Sequence, residues 1–546
     1  MIKMIEKYFT MFKFIKKKKE FYLLIIFSFI GALFSIAPII VMEKIINIAI
    51  LKNNKEISFV LILGFIYLIM QIISAFSRAV SSYLSESIQK SICSELQKTI
   101  YDKLCIVDYV ELRNNDTLMF TNSIIEDTNN IAENYMLSIS QLIIAIISFA
   151  LALVYMLSVD VLLTAVLFPL VLITTLSSRY IQQKLSEKIF VKREKNEKLW
   201  KLFSELIKGI SSIRLLKRQK HFKTEVDESI ESSKISGIEQ AKIEAMNIFV
   251  MTTLFMATIG GILIITSIFL IENKITIGTL VAILMYNHML VDPLLELVDI
   301  QAEINKVYIS ISKLNSILSL NNYELGICSS VKPIRLEVNG VEFFYPNQEE
   351  KFFYKIFINL KENYAIVGET GIGKSTIAKI LSGLNRFEKG TIKYYGENKE
   401  EIIFPKVAYH EQDGYVFDKS LKENILFGNM KITDNEYKKI LRICCLENLA
   451  DNFGNTALGE NGSRLSGGER KRILIARTLS YTDAEIFIFD EICSSLDSTT
   501  IRNILDNLLK THGEKSFIFI EHNPIITEYV DKVIKMDKKR IVYEDI

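Results

Sequence analysis

Six stretches that carry no charged residue dominate the front of this chain: Phe21 to Met42, Ile57 to Ser77, Tyr135 to Val159, Val161 to Ser178, Ala245 to Ile271 and Ile275 to Val291. Each is close to the ~20 residues a helix needs to cross ~30 Å of hydrocarbon. One such run can be the buried helix of a soluble core, but six in succession specify an all-α bundle in a bilayer. The spans are placed at 21–42, 57–77, 135–159, 161–178, 245–271 and 275–300, within a membrane domain of residues 1–320.

Basic residues orient the bundle. Lys16 to Lys19 precede the first span, and the short connections near Asn53, Asp160 and Asn273 carry few cations, so the N-terminus is expected in the cytoplasm. The N-terminal 19 residues have the pattern of a basic amphipathic helix lying in the membrane interface. No Gly or Pro occurs from Phe65 to Phe168, so the second span can continue as helix from Ile57 to Cys105. At 1.5 Å per residue that helix is roughly 70 Å long, about 40 Å more than the bilayer takes up. The charged segment after Arg179 likewise reads as a helix in water. Lys and Arg total 65 against 63 Asp and Glu, a net charge of +2 that argues against a nucleic-acid partner, which usually leaves a strongly basic face. The six cysteines show no metal-ligand spacing and are taken as reduced.

After Leu320 a polar linker, residues 321–333, leads into alternating strands and turns. Residues 334–546 are the size of one α/β domain. There "YAIVGETGIGKSTIAKI" runs from an apolar strand through Gly368, Gly371 and Gly373 to Lys374, Ser375 and a helix. Such a loop, residues 368–376 (Gly368, Glu369, Thr370, Gly371, Ile372, Gly373, Lys374, Ser375, Thr376), turns successive N–H groups onto phosphates, with Lys374 reaching the β- and γ-phosphates and Ser375 on Mg²⁺. A second apolar strand, Ile486 to Phe489, ends in Asp490 and Glu491. Asp490 is placed to hold the Mg²⁺ shell and Glu491 to polarise the attacking water. A third strand, "SFIFIEH", ends in His522.

"LSGGE" (Leu465 to Glu469), together with the six spans and the P-loop, resembles the ATP-binding cassette family, and the likeness covers nearly the whole chain. The arrangement is similar to an exporter-type half-transporter: a six-helix membrane domain with long cytoplasmic extensions, followed by a RecA-like ATPase with a helical subdomain. The resemblance implies that Tyr345 stacks on adenine, that Gln412 senses Mg²⁺, that Asp497 closes the D-loop and that His522 is the switch histidine. It also implies that Ser466, Gly467 and Gly468 face the γ-phosphate of an ATP held by the P-loop of a second chain. Turns near Asp108 to Arg113 and Leu206 to Leu215 fall where the family has coupling helices. Ile372, His410-Glu411, Cys493 and Ala457 depart from the family pattern without removing a catalytic group.

The expected activity is therefore ATP hydrolysis driving export of a peptide, drug or lipid across the plasma membrane by alternating access in a dimer. The intact Glu491, His522 and "LSGGE" favour a homodimer over a heterodimer, and a regulatory membrane protein on the same fold is the competing reading. Asn287, His288, Asp292 and Glu296 at the end of the sixth span are the candidate substrate-cavity groups. The cationic N-terminus and the ATPase are expected on the cytoplasmic side of a bacterial membrane.

Overall fold

A computed structural model of the chain describes residues 15–50, 57–114, 117–159, 161–323, 332–345, 351–398, 400–402, 405–537 and 541–545. Residues 1–14 of the expected interfacial helix and most of the 321–333 linker lie outside the described residues, as do the turns near Asn53 and Asp160. The chain divides into two compact units. One comprises residues 1–102 and 117–319, the other residues 103–116 and 320–546.

The first part of the chain is helical throughout: α1 (Lys18–Ile50), α2 (Ile57–Ile106), α3 (Tyr109–Asn114), α4 (Thr117–Asn122), a π-helical turn (Ser123–Asp127), α5 (Thr128–Val159), α6 (Val161–Lys208), α7 (Ile210–Leu215), α8 (Gln219–Ile271) and α9 (Ile277–Leu318). The uninterrupted helix α2 has 50 residues, running on through the stretch from Phe65 onward that carries no Gly or Pro. Among the described residues, four helices are long and apolar enough to cross a membrane: α1, α2, the continuous 120–159 segment and α8. The spans placed at 161–178 and 275–300 fall on α6 and α9, which continue through Pro169 and Pro293.

Within this unit α5 packs along α9 and α6 along α8, with α1 against α5 and α9. An apolar cluster containing Ile36, Ala152, Met156, Ile283 and Tyr286 joins them. Polar groups cross between helices where they meet a partner, because an unpaired one in hydrocarbon is costly. Glu43 accepts from Tyr155 Oη at 2.6 Å and from Thr279 Oγ1 at 2.7 Å, and Ser28 and Ser81 hydroxyls pair at 2.8 Å.

The second unit carries β1 (Arg335–Phe343), β2 (Phe352–Asn359), β3 (Tyr364–Gly368), α10 (Lys374–Leu381), β4 (Lys389–Tyr395), β5 (Glu401–Ile402), β6 (Val407–His410), α11 (Leu421–Leu426), α12 (Asp434–Ile443), α13 (Glu447–Phe453), α14 (Gly467–Leu479), β7 (Ile486–Asp490), α15 (Ser498–His512), β8 (Ser516–Ile520), β9 (Lys532–Met536) and β10 (Ile541–Asp545). A four-stranded antiparallel sheet has the order β2-β1-β4-β5, and a six-stranded sheet the order β10-β9-β3-β8-β7-β6. In the larger sheet β3, β6, β7, β8 and β9 are parallel. Every residue of β7 and β8 is buried, which is why both read as unbroken apolar runs rather than alternating ones. Phe487, Phe489, Phe517 and Phe519 stack across them at 5.6 to 6.4 Å.

Helix α3 belongs to this second unit although it lies between membrane-domain helices in sequence. Asp108 N donates to Asn321 O at 2.9 Å, and Glu111 accepts from Asn321 N at 2.8 Å. It and α7 fall at the two turns where coupling helices were expected.

Candidate nucleotide site

The parallel sheet sets the site. β3 lies between β8 and β9, so its C-terminal end delivers Gly368 and the following loop to the sheet edge where open α/β folds place ligands. Two glycines there have steric reasons. A Cβ on Gly368 would meet Met536 O at 2.5 Å, and Gly373 has φ 100° with Tyr354 Oη 2.5 Å from where its Cβ would stand. Tyr354 Oη donates to Gly373 O at 2.8 Å, fixing the loop at the start of α10.

Lys374 is buried, and its ammonium donates to Gly368 O and Glu369 O, each at 2.8 Å. Burial lowers its pKa, while the nearby carboxylates of Glu491 and Asp490 act the other way. Glu369, Thr370 and Gly371 are exposed, Ile372 and Ser375 half-buried, and Thr376 buried. Thr376 Oγ1 lies 3.3 Å from Tyr345 Oη, so the aromatic just after β1 reaches the first turn of α10. Phe343 and Phe352 meet the Tyr345 ring edge to face.

Strand register brings the carboxylates in. Asp490 pairs with Ile520, and β6 pairs with β7 from Val407↔Ile486 to His410↔Phe489. Tyr409 Oη therefore donates to Asp490 Oδ2 at 3.0 Å, and burial pushes the Tyr409 phenol upward, reinforced by that carboxylate. Asp490 Oδ1 is buried without a hydrogen-bond partner. Glu491 has φ 51°, its N–H donating to Ile520 O at 2.9 Å, and its Oε2 accepts from Gln412 Nε2 at 2.5 Å. Gln412 thus meets Glu491, while its carbonyl accepts from the buried Lys471 ammonium at 3.2 Å. His522 is exposed at the end of β8, and its N–H donates to Glu521 Oε2 at 3.1 Å.

Ser466, Gly467 and Gly468 form the start of α14. Ser466 is the N-cap, accepting from Glu469 N at 3.3 Å, while Glu469 Oε2 accepts from Ser466 N and Oγ at 2.8 Å. Asp497 caps α15, accepting from Thr500 N at 2.9 Å and from Thr499 Oγ1, and these bonds hold its carboxyl well below the usual range.

A hard divalent cation fits this chemistry. The unpartnered Oδ1 of Asp490 and the Ser375 hydroxyl are oxygen donors of the kind Mg²⁺ takes beside nucleotide phosphates, with the Gln412 carboxamide oxygen as a further donor. Sequence reasoning missed Tyr409, Lys471 and Glu521. Glu521 is buried next to His522 and accepts from Cys493 N at 2.5 Å, tying the β8 end to the loop after Glu491. Its signal was available: an acid closing an all-apolar strand that pairs with β7.

In the membrane unit Asn287 is buried with both amide atoms unpartnered, Asp292 is exposed and Glu296 half-buried, and the His288 side chain lies outside the described residues. A cavity of about 470 Å³ is lined by α1, α2 and α5, with Ser28, Arg78, Ser81, Ser85, Glu86 and Ser140 among its walls. The hydroxyl-rich stretch "SRAVSSYLSES" on α2 was the sequence signal for it.

The family described as ABC transporter transmembrane region matches residues 21–294, and that described as ABC transporter matches residues 355–494. The lactococcin-G-processing and transport ATP-binding protein of Lactococcus lactis subsp. lactis is 29% identical over 62% of this chain, which spans 50% of that relative's length. A putative export ATP-binding/permease protein of Rickettsia prowazekii is 26% identical over 91% of this chain and 87% of its own. A bacterial Atm1-family ABC exporter solved with ATP bound shares the fold at TM-score 0.84 and 17% identity, over 96% of this chain and 94% of that one. With the transmembrane-region match spanning just over half of the 546 residues and the cassette match following it, this chain belongs to the ABC transporter family.

Proposed function

We propose that the chain is one half of an ATP-driven exporter, working as a dimer that moves a peptide, drug or lipid across a bacterial plasma membrane by alternating access. The observation that carries this reading is the assembly of Lys374, Asp490, Glu491 and Gln412 at one sheet edge, in a chain that also carries helices of membrane-spanning length. The intact pair Glu491 and His522 supports a homodimer, with the N-terminus and the ATPase in the cytoplasm.

ATP lies with its phosphates along the 368–376 loop and its base on Tyr345. Ser375, Asp490 and Gln412 would hold Mg²⁺, which would supply positive charge against the phosphates. Lys374 leaves the carbonyls of Gly368 and Glu369 to meet the phosphates. Glu491 then orients the attacking water and takes its proton, with Gln412 fixing the carboxylate and His522 beside the γ-phosphate. Ser466, Gly467 and Gly468 of each chain close over the nucleotide of the other, and Asp497 lies at that junction.

ATP-dependent uptake of labelled peptides, lipids or drugs into inverted vesicles tests the reading, and Glu491→Gln should abolish it. ATPase activity without flux of any of these would move the chain to the regulatory reading. Activity that appears only after adding a second half-transporter would replace the homodimer by a heterodimer.

A further inference from the structure

Along α2, Arg78, Ser82, Ser85 and Gln89 recur at the four-, three- and four-residue intervals that put side chains on one face of a helix, and Glu86 adjoins them. All five line the cavity of about 470 Å³ that α1 and α5 also wall. The contact between α1 and α2 is closed by bonds of its own. The Ser28 and Ser81 hydroxyls pair at 2.8 Å, Ser74 Oγ donates to Gly31 O at 3.2 Å, and a Cβ on Gly31 would stand 3.5 Å from Ser77 Cβ. The two charges are not closed in this way. Among the described residues Arg78 meets only the Ser74 hydroxyl of its own helix, from Nη2 at 3.0 Å and Nε at 3.3 Å, and neither it nor Glu86 has an oppositely charged partner.

Arg78 directly follows the uncharged run from Ile57 to Ser77, so its guanidinium stands where α2 leaves the hydrocarbon. An ionisable group at that depth is costly to keep and marks a path for polar solutes. Glu86 follows eight residues later, about 12 Å along the axis at 1.5 Å per residue. That separation exceeds the ~8 Å over which charges act in physiological salt, so neither neutralises the other. The cavity thus offers a cation and an anion about 12 Å apart, with hydroxyls and an amide along the same face. An extended peptide advances about 3.3–3.6 Å per residue and covers the distance in three to four residues. A zwitterionic lipid headgroup carries its charges a few bonds apart and reaches one end at a time, and an organic cation or anion leaves the opposite end unmet. The volume falls within the ~300–1,000 Å³ usual for ligand sites.

We propose that this cavity receives a peptide bearing an acidic and a basic group three to four residues apart, the acid on Arg78 and the base on Glu86. Ser82, Ser85 and Gln89 meet the peptide groups between them. Recognition is therefore of charge and spacing, and the side chains in between are free to vary. This narrows the exported class from peptide, drug or lipid to peptide, and it rests on the exporter reading.

The test uses the full chain in phosphatidylcholine nanodiscs and follows the fluorescence of a dansyl-labelled, amidated hexapeptide with one aspartate and one lysine three residues apart. Three companions carry aspartate, lysine or glutamine at both positions. Wild type should bind the mixed peptide about tenfold or more tighter than each companion, the effect of losing one hydrogen bond to a charged group. Arg78→Glu should turn the preference toward the double-lysine peptide, and Glu86→Lys toward the double-aspartate peptide. A packing role would not produce these opposite reversals. Where a reversal variant does not fold, Arg78→Gln or Glu86→Gln should erase discrimination at its own end and keep it at the other. Four equal affinities in wild type, or preferences unmoved in variants with a wild-type unfolding midpoint, overturn the proposal. So does phosphatidylethanolamine in the nanodisc if it displaces the mixed peptide, because a headgroup then fills the cavity. Uptake into inverted vesicles separates the two readings. If the mixed peptide binds with these preferences and ATP drives no uptake of it, the exporter reading fails and the binding site stands; if lipid or drug is taken up while charge has no effect on peptide binding, the peptide site alone fails.

Discussion

Gln412 Nε2 donates to Glu491 Oε2 at 2.5 Å, joining the loop after β6 to the residue that follows β7. On the proposed reading, the bond makes Gln412 a positioning residue for the carboxylate assigned to take the proton from water. Glu491→Gln should lower kcat for ATP by roughly 10² to 10⁴, the range of a lost general base, with nucleotide affinity kept. Gln412→Ala should cost about tenfold in kcat, equivalent to one charge-assisted hydrogen bond. Steady-state ATPase assays beside trinitrophenyl-ATP titration check both. A Gln412→Ala enzyme with unchanged kcat would remove the positioning role.

Tyr109 Oη donates to Glu411 Oε1 at 2.7 Å, and burial together with that carboxylate raises the phenol to about 12. Glu411 directly precedes Gln412, so this contact anchors α3 one residue from the group that holds Glu491. Tyr109→Phe and Glu411→Gln should each destabilise the second unit by about 1 kcal/mol. That corresponds to a fall of roughly 2–4 °C in its unfolding midpoint. The double variant should lose less than the sum, because the two share one bond. Additive shifts in differential scanning fluorimetry would show that the contact carries no coupling energy.

The loop at 368–376, the acids at 490–491 and His522 were legible because each is a local signal, a strand ending in a short chemical motif. Tyr409, Lys471 and Glu521 were not, because their roles arise from register across β6, β7 and β8. No local window holds Tyr409 and Asp490 together, yet the pairing Tyr409↔Ile488 and His410↔Phe489 fixes their meeting. The length of α2 was readable from the lack of Gly and Pro after Gly64, whereas the assignment of α3 to the second unit depends on long-range bonds to Asn321. The acids at the end of the sixth span drew notice by their charge and their shared helical face, whereas the serines near Arg78 that line the 470 Å³ cavity give no such local signal.

His410 is fully enclosed against Phe489, and burial, helped by the nearby Lys471 ammonium, pushes its imidazole down to about 3. The unfolded chain takes up that proton near pH 6.5, and the folded chain does not until about pH 3. Between those values the unfolded state binds more protons, so stability falls as pH falls. The loss approaches 1.4 kcal/mol per pH unit, or about 2 kcal/mol by pH 5. His410→Val should flatten this part of the profile in unfolding scans from pH 7 to pH 5. A variant with the wild-type slope would assign the acid sensitivity elsewhere.

Ser466 has two roles that one substitution confuses, and a set of three separates them. As N-cap of α14 it accepts from Glu469 N, and losing that bond costs about 1 kcal/mol. As a γ-phosphate donor it would act on the nucleotide of the partner chain. Ser466→Thr keeps both functions and should behave as wild type. Ser466→Ala removes cap and hydroxyl, so it should lower the unfolding midpoint by roughly 2–4 °C and reduce hydrolysis partially. Ser466→Arg adds bulk where, on the proposed reading, the two chains would close on ATP; it should match Ala in stability, lose ATPase at least about 100-fold, and still displace trinitrophenyl-ATP normally at its own Lys374 loop. If Arg and Ala lose hydrolysis equally and only in proportion to stability, Ser466 acts as a helix cap alone and the shared-site arrangement loses its support at this residue.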